Sequence, residues 1–254
     1  MYQAGKADNV SREMTRNKID ALGITEARWI GNGDFTLQCG KKILYSGHSA
    51  EGAPHTQGVA LMLTPESFRS LISWEAHGPR LMEAMFKTSD KNIDLRIIVV
   101  YAPTNEAEDE DREEFYEKLT TIYRRGHKEK NIMMLLGDMN AKVGCVNTGL
   151  EQVMGVHGLG EINENGEQLT GFCQSHNLVI GGTIFPHKRI HTATWKSPDN
   201  VTQNQIDHIC ISKKFRRSLL DVRVLRGADV NSDHYLLISD VQLKLKKRVQ
   251  EKNP

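Results

Sequence analysis

The chain has no run of about 18 consecutive apolar residues and no signal-peptide pattern, so its sequence supports neither membrane insertion nor secretion. It also has no excess of charge of one sign, since 33 Lys and Arg face 32 Asp and Glu. That balance excludes a protein that holds nucleic acid by overall charge, and any grip on DNA must come from local patches. A site built from carboxylates would itself offset basic residues, so neutrality leaves a nuclease open. Cysteine is sparse. Cys39, Cys145, Cys173 and Cys210 form no CxxC pair and no zinc spacing, and they read as buried reduced thiols of an intracellular protein. No repeat period, low-complexity stretch or interdomain linker interrupts the 254 residues, a length that one large domain can fill.

Apolar periodicity places the elements. Val10 and Met14 lie four apart, which predicts a helix over about 8–18 capped by Asp8 or Asn9. Strands are predicted over 19–24, 59–63, 93–101, 132–136, 178–180, 206–211 and 235–245, with Gly-rich loops over 31–33 and 47–58. The acidic run over 106–114 opens a helix whose Phe115, Leu119 and Ile122 share one face, and acids at a helix N-terminus suit its dipole. A further helix near 167–176 turns Leu169, Phe172 and Cys173 inward. Clustered strands with long loops suit an α/β sandwich of two packed sheets flanked by helices better than a singly wound βαβ repeat.

Polar groups sit where core strands end. Ile132-Met-Met-Leu-Leu136 closes in Gly137-Asp138-Met139-Asn140, and residues two apart on a strand point the same way. Asp138 can orient or deprotonate a water, and Asn140 can donate to an anionic oxygen. Glu26 follows Ile24-Thr25, Tyr101 ends the Ile97–Val100 run, and Asp207 interrupts Gln205-Ile206-Asp207-His208-Ile209. Asp233-His234 precedes the last strand. An acid among apolar neighbours needs a partner to offset its desolvation, and an imidazole is a natural one. His234 is the histidine assigned a role. His208 faces the other side of its strand from Asp207, and the remaining eight read as solvent-facing.

Five stretches, in order, resemble the endonuclease/exonuclease/phosphatase superfamily: Ala21-Leu-Gly-Ile-Thr-Glu-Ala-Arg-Trp29, Val100-Tyr-Ala-Pro-Thr104, Leu136-Gly-Asp-Met-Asn-Ala-Lys-Val-Gly144, Asn204-Gln-Ile-Asp-His208 and Ser232-Asp-His234. They are most similar to the apurinic-endonuclease-like domain of LINE-type retrotransposons of the RTE kind, and host sequences carrying the same motifs look similar. The likeness covers residues 8–245. It implies a four-layered α/β sandwich and a divalent metal, Mg²⁺ with Mn²⁺ as a substitute, that supports phosphodiester cleavage. By motif, Glu26 and Asp233 are metal carboxylates, Asp138 acts on the attacking water, and Asn140 bonds the scissile phosphate. His234, held in one tautomer by Asp207, touches the phosphate or moves a proton, and Tyr101 donates where charge develops. Thr104, Thr194, Trp195 and Ser232 fall where DNA would be contacted. Trp195 reads equally as core or as a wedge against a groove.

The implied activity is an endonuclease leaving a 3′-hydroxyl nick for target-primed reverse transcription. A reverse transcriptase would come from another chain or a longer parent polyprotein, and nuclear residence follows from the DNA substrate. Alternatives of the same fold are an abasic-site endonuclease, a small-phosphoester phosphatase, or an impaired remnant that only binds. One departure stands out. The family begins with a strand carrying an Asn in a Trp-Asn-x-Arg-like motif, whereas this chain opens Met1-Tyr2-Gln3-Ala4-Gly5. The expectation is one domain over 1–245 without that strand, followed by a basic, disordered tail over 246–254.

Overall fold

The computed structural model describes residues 5–50, 52–126, 128–228 and 232–243. Its elements run α1 (Lys6–Arg16), β1 (Ala21–Ile24), β2 (Asn32–Thr36), β3 (Lys42–Ser46), β4 (Val59–Leu63), α2 (Pro65–Arg69), β5 (Leu71–Ala76), β6 (Leu81–Lys87) and β7 (Asp94–Tyr101). There follow α3 (Asp109–Arg125), β8 (Ile132–Asp138), α4 (Glu164–Ser175), β9 (Leu178–Ile180), β10 (Trp195–Lys196), β11 (Gln203–Asn204), β12 (Asp207–Ser212), β13 (Leu219–Leu225) and β14 (Leu236–Val241). The basic tail and the end of the last predicted strand, from residue 244, lie outside the described residues.

Four layers stack in the order helix, sheet, sheet, helices, and strand alternation fills the spaces between them. The larger sheet runs β5-β6-β7-β8-β12-β9, and only its β7–β8 pair is parallel. Along β7, Ile98 and Val100 turn to α3 and α4, where they meet Phe115, Leu119, Leu169 and Cys173. Ile97 and Val99 turn the other way into the sandwich. In β4 all five residues are buried because both faces are covered. Val59, Leu61 and Leu63 face the larger sheet, while Ala60 and Met62 pack on Val10 and Met14 of α1. Burying a side chain of this size contributes about 1.5–3 kcal/mol.

The second layer is divided. One part, β1-β4-β3-β2, is wholly antiparallel, and the other is the β13-β14 pair. Among the described residues no ladder joins β1, which packs over β8, to β14, which packs over β12. Gly23 of β1 lets the layers meet, since a Cβ there would lie 2.2 Å from Leu136 Cδ1.

Several elements differ from the sequence expectation. Helix α1 starts two residues early on Gly5 and has no side-chain cap, so neither Asp8 nor Asn9 caps it. Residues 32–36, read partly as loop, form the edge strand β2, because Phe35 and its neighbours pair with β3. Strands β3, β5, β6 and β13 were not anticipated. Their apolar residues are interleaved with Lys, Glu and Asp that face solvent or form ion pairs, which blurs the apolar runs.

Candidate active site

Pairing in the larger sheet sets the site. Tyr101 pairs with Asp138 across β7–β8, and Asp138 pairs with Asp207 across β12–β8. Three polar side chains thus stand abreast at the ends of three adjacent strands. Gly137 makes this possible. Its φ of 138° and a Val100 carbonyl oxygen 2.0 Å from where a Cβ would sit admit glycine alone. The chain leaves the ladder at Asp138, so strand alternation does not place Asn140. Asn140 has a left-handed φ of 47°, its N–H donates to Asp138 Oδ1 at 2.9 Å, and its amide donates to the Ala102 carbonyl at 3.0 Å. Asn165, at the start of α4, holds this loop by donating to the carbonyls of Asn140 and Pro103.

His234 arrives from the other end of the sequence. Trp195 bridges to it, Tyr235 N–H donates to the Thr194 carbonyl and Lys196 N–H to the Asp233 carbonyl. Its Nδ1 lies 3.0 Å from Asp207 Oδ2 and its Nε2 lies 4.0 Å from Asp138 Oδ2. Burial alone would lower the imidazole, but the charge of Asp207 and the hydrogen bond to it raise it to about 9. Asp138 moves the opposite way from an exposed acid. Burial, then repulsion from Asp207, push it up to about 7 against the pull of His234 and the Asn140 N–H.

Glu26 closes the group. Its Oε1 accepts from the Tyr101 hydroxyl at 2.9 Å, and its Oε2 pairs with Arg28 at 2.7 Å. Burial would raise Glu26, yet the bonds from Arg28 and Tyr101 leave it lowered. Burial, reinforced by Glu26, keeps the Tyr101 phenol protonated well above its ordinary range. The Arg80 guanidinium lies 5.2 Å from the Tyr101 ring and donates to its carbonyl.

Bonds and strand pairing therefore gather Glu26, Tyr101, Asp138, Asp207, His234 and the Asn140 loop into one group at the sheet end. Asp233 is exposed, and its carboxylate accepts from the Trp195 indole N–H at 3.0 Å. Trp195 is half-buried, while Thr104 and Ser232 are exposed, with Ser232 Oγ accepting from His234 N–H. Thr194 is fully buried and its hydroxyl accepts from the N–H groups of Ile206 and Asp207, so it braces β12 and is removed from the residues that can touch a duplex. His208 points away from Asp207, as expected, with Nε2 2.7 Å from the Ala141 carbonyl. His77 corrects the expectation of exposure. It is 9% exposed beside Glu83, within a second group formed by Glu75, His77 and Glu83. His127 lies outside the described residues. Arg28, Arg80 and Asn165 received no role from the sequence. Arg28 had a signal, since it stands two residues after Glu26 in the same motif.

The carboxylates of Asp138 and Asp207 and the His234 ring bring one ligand atom each within 4.8 Å of one another. No Lys or Arg pairs with either carboxylate among the described residues. Hard oxygen donors whose one cationic neighbour is an imidazole fit a small divalent cation. No helix among the described residues is long and apolar enough to cross a membrane.

Two sheets between helix layers, with acids and a histidine at one end of the central strands, define an α/β-sandwich fold shared with phosphodiesterases. The 3′-5′ exonuclease NExo of Neisseria meningitidis superposes with a TM-score of 0.65 at 18% identity, covering 94% of this chain and 95% of that one. The endonuclease domain of TRAS1, a telomere-specific non-LTR retrotransposon, gives 0.63 at 14% identity, covering 96% and 95%. Residues 95–238 match the family described as endonuclease-reverse transcriptase, and the chain belongs to that family within the endonuclease/exonuclease/phosphatase superfamily. Craniofacial development protein 2 of Bos taurus is 36% identical over 250 residues, which are 95% of this chain and 39% of that protein. The chain spans about two-fifths of the length of the curated relatives it matches.

Proposed function

We propose that this cleft hydrolyses a phosphodiester bond of DNA with the help of a divalent cation, Mg²⁺ or Mn²⁺, leaving a 3′-hydroxyl nick. The observation that carries this reading is Asp138, buried at the sheet end between Asp207 and His234, with the His234 ring beside it and no Lys or Arg paired with it among the described residues. Glu26 and Asp233 would hold the metal beside the group of Asp138, Asp207 and His234, and the metal when bound supplies positive charge to the phosphate oxygens and to a water. A nearby cation lowers the Asp138 carboxyl, so it becomes a base able to take a proton from the attacking water. His234, cationic and fixed by Asp207, offers Nε2–H to the reacting phosphate. Tyr101 stays protonated and donates from the Glu26 side. Asn140 has a second amide hydrogen left for a phosphate oxygen once Ala102 has taken the first.

A retrotransposon origin of the RTE kind, with the nick priming reverse transcription by another chain or by a longer parent polyprotein, is supported by the fold shared with the TRAS1 domain. A DNA substrate implies residence in the nucleus. The exonuclease and the abasic-site endonuclease of Archaeoglobus fulgidus among the structural neighbours favour a second reading, cleavage at abasic sites. Supercoiled plasmid and an abasic duplex, each incubated with Mg²⁺, separate the two. Nicking of plasmid that is abolished in Asp138→Ala and His234→Ala supports the first. Cleavage of the abasic duplex alone supports the second, and nicking unchanged in both variants refutes the assigned roles.

A further inference from the structure

Arg28 carries the only guanidinium paired with an acid of the cleft among the described residues. Its Nη2 lies 2.7 Å from Glu26 Oε2, while Tyr101 occupies Oε1, so both oxygens of the carboxylate are engaged. The backbone fixes the pair. Glu26 and Arg28 both adopt left-handed conformations, with φ of 51° and 61°, and the N–H groups of Ala27 and Arg28 donate to the carbonyls of Gly58 and Gln57. The side chains are looser. Arg28 is 54% and Glu26 48% exposed, and Glu26 is the acid that pairs with the Arg28 guanidinium among the described residues. An exposed pair of this kind is weak and easily exchanged.

We propose that Arg28 is a tethered counter-ion, occupying Glu26 when the cleft holds no metal and giving way to the divalent cation when it binds. Arg28 then sets metal affinity: it protects the acid from indiscriminate cations and raises the metal concentration the site requires. The released guanidinium stays at the cleft mouth, because the loop that carries it is bonded at Gln57 and Gly58. This rests on the metal site proposed above, with Glu26 as a ligand.

The test is Mn²⁺ binding by the full chain, followed by the electron paramagnetic resonance signal of the free ion, with no substrate present. Removing a unit charge about 5 Å from a divalent ion strengthens binding about tenfold at low salt, and the gain shrinks as ionic strength rises. Arg28→Ala should therefore bind Mn²⁺ about tenfold more tightly than the parent, and Arg28→Lys should stay near it. Equal or weaker binding by Arg28→Ala, with Glu26→Gln losing the ion, overturns the counter-ion and leaves the metal site standing. A parent chain that binds no Mn²⁺ overturns both. Far-ultraviolet circular dichroism checks that each variant is folded.

Discussion

Two clusters in this molecule have almost the same chemistry and opposite electrostatics. Asp138, Asp207 and His234 meet at the strand ends, and Glu75, His77 and Glu83 meet on the β5–β6 side of the same sheet. In the second, Arg96 and Arg125 both pair with Glu83, and Arg125 also pairs with Glu75. Two guanidiniums thus cancel two carboxylates. Burial would raise Glu83, but the hydrogen bonds from His77 and Arg96 bring it down to about 2. Asp138, buried beside another acid, is pushed up to about 7. Residue types alone do not separate a site from a structural ion network. The absence of a guanidinium beside Asp138 and Asp207 among the described residues, with His234 their one cationic neighbour, is what sets the first cluster apart.

The largest effect should come from removing the buried acid of the first cluster. Asp138→Asn keeps the side-chain shape and loses the base, so plasmid nicking should fall by about 10²–10⁴-fold. The variant should be no less stable than the parent at pH 8, since a buried charge repelled by Asp207 has gone. Undiminished nicking would show that Asp138 is only structural. Glu83→Gln is the mirror experiment. It removes the negative charge that balances buried Arg96, leaving it the neutral amide oxygen and the carbonyls of Ile122 and Tyr123, and breaking a buried pair costs about 3 kcal/mol. Urea unfolding should register that loss while nicking per folded molecule is unchanged.

The difference between the clusters was only half legible in the sequence. Asp138, Asp207 and His234 stood out because each ends, interrupts or directly precedes an apolar run, and a local pattern is enough to see that. The partner strands could not be read off, so neither the Tyr101–Asp138–Asp207 row nor the role of Gly137 was visible. Alternation predicted Asn140 beside Asp138, but the chain turns left-handed after Asp138, and a carbonyl from Ala102, 38 residues away, sets the amide. Thr194 was placed at the DNA by the motif alone, and only the fold shows its hydroxyl holding two backbone N–H groups. His77 was read as a loop histidine because Arg96 and Arg125, which complete its network, are distant in sequence.

Acidity and stability should diverge between the clusters in a way that pH can display. The folded value of His234 lies above its unfolded value, so its contribution is complete below about pH 6.5 and is lost as pH rises through about 9. The raised Asp138 adds a cost that is absent below about pH 4 and grows up to about pH 7. Glu83 has a lowered value, so its contribution is present above about pH 4.5 and vanishes as pH falls towards 2. Urea midpoints should therefore decline from pH 6.5 to 9 in the parent and flatten in His234→Gln. They should decline below pH 4.5 in the parent and flatten in Glu83→Gln. A parent whose stability rises between pH 6.5 and 9 would contradict the cationic His234.

The smallest effect belongs to Arg125→Ala. Arg125 is more than half exposed, and a surface pair contributes under about 1 kcal/mol, so the unfolding midpoint should barely move. The informative readout is metal binding. Arg96 remains buried against Glu83 after Arg125 is gone, and its charge still opposes a cation at Glu75, His77 and Glu83. Arg125→Ala should thus titrate with the same number of Mn²⁺ ions as the parent, whereas an additional ion would show that this cluster too is a metal site, held shut by one exposed side chain.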